Sequence, residues 1–124
     1  MKKVLIIIPA YNEEGSILRT VKSIQDFKKK NHLSFQLDYL VVNDGSKDST
    51  ALILDQNKLH HVDLIRNLGI GGAVQTGYIY AERYGYDAAV QFDGDGQHDI
   101  ASIVDLVSPV LNGECEFVIG SRFI

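Results

Sequence analysis

Two carboxylates one residue apart, Asp93 and Asp95, are the side chains of this sequence best suited to chemistry. They lie in Phe92-Asp93-Gly94-Asp95-Gly96-Gln97-His98-Asp99, directly after the apolar run Ala88–Phe92. Like charges this close disfavour each other unless a cation sits between them. A hard divalent ion, Mg²⁺ or Mn²⁺, resolves the conflict by taking oxygen ligands, and the flanking glycines let a ligand approach the backbone closely. The alternative is a solvated turn, with Asp99 capping the helix that follows; the metal reading is preferred for the pair, the cap for Asp99. An EF-hand loop starting at Asp93 would need glycine where His98 stands and glutamate where Val104 stands. His98 has no histidine or cysteine partner at metal spacing, which argues against zinc and leaves it a loop residue near the site.

A second polar segment is Val41-Val42-Asn43-Asp44-Gly45-Ser46-Lys47-Asp48-Ser49-Thr50. A carboxylate such as Asp44 at a strand end can accept hydrogen bonds from a nucleobase or ribose. Equally, Asp44 can form an Asx turn into a helix capped by Ser46 or Ser49. On the first reading, Asp44→Asn harms nucleotide binding and hardly changes stability. A third segment, Asn67-Leu68-Gly69-Ile70-Gly71-Gly72-Ala73, opens a helix with glycines. Such glycines can expose N–H groups to phosphate, or can let the helix pack closely on a sheet. The spacing misses the dinucleotide-binding pattern, Asp87 precedes a strand rather than following one, and no GxxxxGK[ST] loop is present.

These segments must be held by regular elements. Continuous apolar runs at Val4–Ile8, Tyr39–Val42, Val62–Ile65, Ala88–Phe92 and Phe117–Ile119 read as strands covered on both faces. Between them, Ile17, Leu18, Val21, Ile24 and Phe27 form one helical stripe. Ile70, Ala73, Val74, Gly77, Tyr78, Ala81 and Tyr84 form a second, and Ile100, Ile103, Val104, Val107 and Leu111 a third that Pro109 kinks or ends. A weaker helix covers Ser49–Gln56. Strand alternating with helix predicts an α/β domain, a mainly parallel sheet with helices on both faces. Ligands of such sheets bind beyond the carboxyl ends of the strands, where strand order reverses. The polar segments, together with Pro9-Ala10-Tyr11-Asn12-Glu13 and Arg66-Asn67-Leu68-Gly69, follow the apolar runs and so fall at that end.

The chain has 124 residues, one domain's worth, with 45% apolar content, enough for a core without staples. Its net charge of −4 argues against nucleic acid as a partner. The single cysteine, Cys115, excludes an internal disulfide framework and points to a reducing, cytoplasmic compartment. No stretch approaches the ~20 apolar residues that cross a bilayer. Lys28-Lys29-Lys30 is expected on a solvated helix end, where cations suit the helix dipole.

These residues together resemble family 2 glycosyltransferases. Pro9-Ala10-Tyr11-Asn12-Glu13-Glu14 is similar to the family's opening motif and Val42-Asn43-Asp44-Gly45-Ser46 to its second. Phe92-Asp93-Gly94-Asp95 matches its DXD metal motif, and Val118-Ile119-Gly120-Ser121-Arg122-Phe123 resembles the strand and arginine that follow. Within the family, the polyprenyl- or dolichyl-phosphate sugar synthase branch is most similar. Gly71-Gly72-Ala73 and Gly77 match its glycine-rich helix start, and Val74 stands where many other members carry arginine. Asp95-Gly96-Gln97-His98 resembles the branch's DXDLQHP segment, with Gly96 for leucine and Asp99 for proline.

The resemblance implies a Rossmann-like GT-A fold that binds a UDP-, GDP- or TDP-linked sugar. It implies that Pro9, Ala10, Tyr11 and Glu13 line the nucleoside pocket and that Asp44 hydrogen-bonds the base. Gly69, Gly72 and Gly94 border the donor, Asp93 faces the ribose and metal-bound diphosphate, and Arg122 reaches the phosphates. Asp93, Asp95 and Gln97 hold Mg²⁺ or Mn²⁺. Family members are usually about twice as long, and their second half builds the acceptor site, so residues 1–124 are expected to be a single donor-binding domain, the amino-terminal part of a longer enzyme. No catalytic base is assignable in this chain. The implied reaction is metal-dependent, inverting transfer to a lipid phosphate or glycan, in the cytoplasm or at the cytoplasmic face of a membrane. A donor half alone leaves apolar surface uncovered, which permits a homo-oligomer, and is expected to transfer little sugar by itself. Two rivals are a nucleotide-sugar-binding module without turnover and a Mg²⁺-dependent DXD phosphatase. The phosphatase fits less well because its aspartates usually follow the first strand.

Overall fold

The structure, a computed structural model, describes residues 2–33, 35–92 and 100. Its centre is β1 (Lys3–Ala10), in which Val4, Leu5, Ile6, Ile7 and Ile8 are all fully buried. β-Branched side chains favour the extended backbone, and burial on two faces explains why the run is unbroken. Val4, Ile6, Ile8 and Ala10 pack with Ile17, Val21 and Ile24 of α1 (Ile17–Lys30) and Leu54 of α2 (Thr50–Gln56). Leu5 and Ile7 turn the other way, towards Ala73 and Ala81 of α3 (Gly69–Arg83).

β1 pairs in parallel with β2 (Gln36–Asn43) on one side and with β4 (Ala88–Gln91) on the other. β3 (His61–Asp63) lies outside β2, so the order is β3-β2-β1-β4, all parallel. The chain moves outward from β1 through β2 to β3, and then α3 carries it back to β4. Strand order therefore reverses beside β1, which puts the binding crevice at the carboxyl end of that strand. Gly77 allows the return: a Cβ there would lie 2.5 Å from Cγ2 of Ile7, so α3 could not seat as closely on β1 with a larger residue.

Several local expectations need correction. β3 stops at Asp63 and Ile65 is fully exposed, because β2 ends at Asn43 and the last pair is Asn43 with Asp63. Leu18 is exposed: it points about 100° away from the buried line of Ile17, Val21 and Ile24. Ile70 and Tyr84, at the two ends of α3, are also exposed, while Ala73, Val74, Gly77 and Ala81 form its buried line. Ser49 occupies the N-cap position of α2 but makes no capping bond; Oδ1 of Asp48 accepts the Thr50 N–H instead, at 2.9 Å. Lys28, Lys29 and Lys30 do form the exposed last turn of α1. The expected third helix, apart from the buried Ile100, and the strand Phe117–Ile119 lie outside the described residues.

Candidate functional site

At the carboxyl end of the sheet three loops meet on one buried carboxylate. Asp44, directly after β2, is 3% exposed, and its N–H bonds the carbonyl of Ala10 at the end of β1 (2.8 Å). Its Oδ1 accepts the Leu68 N–H at 2.7 Å, and its Oδ2 and main-chain carbonyl each accept the side-chain amide of Asn67 at 3.2 Å. The loop before α3 is thus tied to the end of β2. Gly45 is required at this crossing: its φ is +69°, and a Cβ would lie 2.6 Å from the backbone of Arg66 and Asn67.

The loop after β1 is laced to the loop after β2 in both directions. The Asn12 N–H donates to Oγ of Ser46 (3.0 Å), and the Lys47 N–H donates to Oδ1 of Asn12 (2.9 Å). The Glu13 N–H donates to Oγ1 of Thr50, the Glu14 N–H to Oδ2 of Asp48, and the Ser49 N–H to Oε2 of Glu14. Asn12 adopts φ +53°, a conformation asparagine tolerates better than most residues. Partial desolvation raises the Asp48 carboxyl, but the Thr50 hydroxyl and the N–H groups of Thr50 and Glu14 donate to it. These bonds win and hold it below the usual carboxylate value.

The result is a cleft of about 310 Å³ lined by Pro9, Ala10, Tyr11, Glu13, Asp44, Asn67, Gly69 and Ile70. Tyr11 is 41% exposed and offers a ring face; one oxygen of Glu13 is occupied by the Ser16 hydroxyl at 3.0 Å. Each carboxylate oxygen of Asp44 accepts one bond and keeps capacity for a second, so the cleft presents an anchored acceptor beside an aromatic ring. Six of the residues singled out in the sequence therefore share one cavity: Pro9, Ala10, Tyr11, Glu13, Asp44 and Gly69. Gly72 does not line it; a Cβ at Gly72 would instead meet Cβ of Leu68 at 2.6 Å. Asp93, Gly94, Asp95, Gln97 and Arg122 lie outside the described residues. Among the described residues no group of three or more His, Cys, Asp or Glu side chains could hold a metal ion. A larger groove of about 610 Å³ lies along α1 and α2, lined by Leu18, Arg19, Lys22 and Asp26 among others, and shares no lining residue with the cleft.

Two lining residues had no assigned role in the sequence. Asn67 sits in a strand-end segment, but its bond to Asp44 depends on a contact 23 residues away. Ile70 reads as part of an apolar stripe and turns out to face the cleft.

The model of the family described as "Glycosyl transferase family 2" matches residues 5–124. A UDP-N-acetylglucosamine–dolichyl-phosphate N-acetylglucosaminyltransferase of Methanococcus voltae is 36% identical, over 98% of this chain and 52% of its own length. A polyprenol monophosphomannose synthase of Mycolicibacterium smegmatis is 30% identical, over 99% of this chain and 46% of its own. The chain spans about half the length of these curated relatives. Among solved structures, glucosyl-3-phosphoglycerate synthase of Mycobacterium tuberculosis, in complex with Mn²⁺, UDP-glucose and phosphoglyceric acid, shares the fold. Its TM-score is 0.67 at 23% identity, over 91% of this chain and 40% of that one.

Proposed function

The chain belongs to glycosyl transferase family 2, and from that premise we propose that it is the donor-binding domain of a metal-dependent, inverting enzyme that moves a sugar from a nucleotide diphosphate-sugar to a polyprenyl phosphate. The observation that carries the reading is the cleft at the carboxyl end of β1, where the anchored Asp44 carboxylate stands beside the exposed ring of Tyr11. A nucleobase needs such a pair: a face to stack on and an acceptor for its N–H. The dolichyl phosphate in the name of the first relative and the polyprenol monophosphomannose in that of the second support a polyprenyl-phosphate acceptor here, and with it work at a membrane face, cytoplasmic in this reading.

In this proposal Pro9, Ala10, Tyr11 and Glu13 enclose the nucleoside, Asp44 reads the base, and Gly69 borders the donor. Asp93, Asp95 and Gln97, which follow β4, supply two carboxylates and an amide oxygen, a donor set that suits Mg²⁺ or Mn²⁺. When bound there, the ion would supply Lewis-acid stabilisation of the departing nucleoside diphosphate. Gly94 gives the diphosphate room beside the backbone, and Arg122 adds a cation to the phosphates. Holding the donor by its nucleotide leaves one face of the sugar open, so attack from that side inverts the anomeric centre. A lipid phosphate is already ionised and needs little help from a base.

Calorimetric titration of UDP, GDP and TDP into the chain tests the reading, with Mn²⁺ and again with chelator. One nucleotide should bind, more tightly with metal, and Asp95→Ala should remove the difference. Equal affinity with and without Mn²⁺ in the unaltered chain would refute the metal-dependent part, and no binding by any of the three would refute the donor site.

A further inference from the structure

One residue before Asp44 a chain of charged and polar contacts begins that the proposed reaction does not use. His61, at the start of β3, has a side chain only 12% exposed and a carboxylate at each ring nitrogen. Nδ1 is 3.0 Å from Oδ1 of Asp63, and Nε2 is 2.9 Å from Oδ1 of Asp55 on α2. The same oxygen of Asp63 also accepts the side-chain N–H of Asn43 at 2.9 Å. Asn43 is 3% exposed and adjoins Asp44; its own side-chain oxygen accepts the Ser46 N–H at 3.2 Å. Ser46 in turn receives the Asn12 N–H, from the loop after β1.

We propose that His61 is a positioning residue for the donor pocket: bridging Asp55 and Asp63, it fixes the amide of Asn43 and, through it, the turn that carries Asp44. The inference rests on the reading of Asp44 as the acceptor for the base. Turning the Asn43 amide over would set its oxygen against Asp63 and its NH₂ against the Ser46 N–H, so Asp63 dictates which way the amide points. Asp63 is dictated in turn by His61. A neutral imidazole carries one N–H and can satisfy one of the two carboxylates, leaving a lone pair facing the other; the imidazolium donates to both. The charged groups facing the ring are Asp55 from α2 and Asp63 from β3 itself, while β2 presents the uncharged Val41 and Asn43. Removing the ring frees Asp63 and, with it, the Asn43 amide, so nucleotide should bind more weakly without His61.

The test combines two readouts on the full chain. In ¹⁵N-resolved NMR without nucleotide, the Asn43 side-chain NH₂ should shift when His61 is replaced in His61→Gln. An Asn43 signal that ignores His61 overturns the relay, whatever nucleotide does. In calorimetry, UDP should bind about fivefold more weakly to His61→Gln than to the unaltered chain, the equilibrium equivalent of one hydrogen bond, and GDP serves as second probe. Equal affinities overturn the coupling. Should His61→Gln fail to fold, Asp55→Asn loosens the ring from its exposed arm alone and should weaken binding in the same direction. Asp44→Asn separates the two layers: if it binds UDP as the unaltered chain does, the base-acceptor reading falls, and the Asn43 signal still decides the relay.

Discussion

Asp44→Asn puts the donor cleft and the fold to the same test. The substitution keeps size and shape and replaces one acceptor oxygen by an NH₂. The Leu68 N–H can keep its partner, but its 2.7 Å bond to a carboxylate becomes a bond to a neutral amide, a loss of about 1 kcal/mol. The Asn67 amide then faces another amide's N–H. It can turn over only by giving up its bond to the carbonyl of residue 44, which forfeits a further ~1 kcal/mol. The sum, about 2 kcal/mol, is a sizeable part of a typical domain stability of about 5–15 kcal/mol and should lower Tm by roughly 6–10 °C. This corrects the sequence-based expectation of little change, since Asp44 both holds the loop before α3 and faces the cleft. Urea unfolding should show an earlier midpoint at unchanged slope. Well below Tm, calorimetry should show the preferred nucleotide binding at least about tenfold more weakly, the effect of losing a hydrogen bond to a charged acceptor. Normal nucleotide affinity in the destabilised variant would refute the binding role. Unchanged stability would refute the anchoring role.

Gly77→Ala places a methyl group against Ile7. Overpacking of about 1–3 kcal/mol should outweigh the ~1 kcal/mol of helix propensity gained, and in an Ile7→Ala background the same change should become neutral or stabilising by urea unfolding. Gly45→Ala should lose about 3 kcal/mol, from the unfavourable φ together with a backbone contact that no rotamer relieves; a variant as stable as the parent in thermal unfolding would contradict the crossing described. Asp48, whose carboxyl is held below its ordinary value, contributes stability that is present above the unfolded carboxylate value and lost as pH falls through the folded one. The stability difference between the parent and Asp48→Asn should therefore shrink from pH 6 to pH 2, and a constant difference would show that the Thr50 and Glu14 bonds do not depend on the charge.

The layered α/β arrangement was legible because its signals are local. The unbroken apolar run at Val4–Ile8 demanded two covered faces, and the buried line of α3 followed helical spacing. The convergence of Pro9, Tyr11 and Asp44 on one cleft was legible for a topological reason: parallel strands deliver all their following loops to the same end. What escaped was whatever depends on where an element stops relative to its neighbour. Ile65 looks like strand until β2 is known to end at Asn43, and Leu18 looks like core until the helix is rotated onto the sheet. The pairing of Asn67 with Asp44 leaves no periodic trace, because a hydrogen bond between loops imposes no spacing along the chain; His61 and Asp63 share a face of β3 at the strand period, but the approach of Asp55 from α2 follows only from the packed fold.

The order of strands also has a consequence for how the chain is made. β1 is synthesised before both of its neighbours: Lys3 waits for Gln36 on one side, and Val4 for Ala88 on the other. No hairpin can form in the interval, since the described ladders are parallel and all close long loops. Five consecutive side chains that end with no contact to water must meanwhile remain in contact with it. The residue order that buries the middle of β1 from both sides thus leaves it exposed in the nascent chain until both neighbours have been made. A chaperone that recognises short apolar stretches would find its natural target there until β4 emerges.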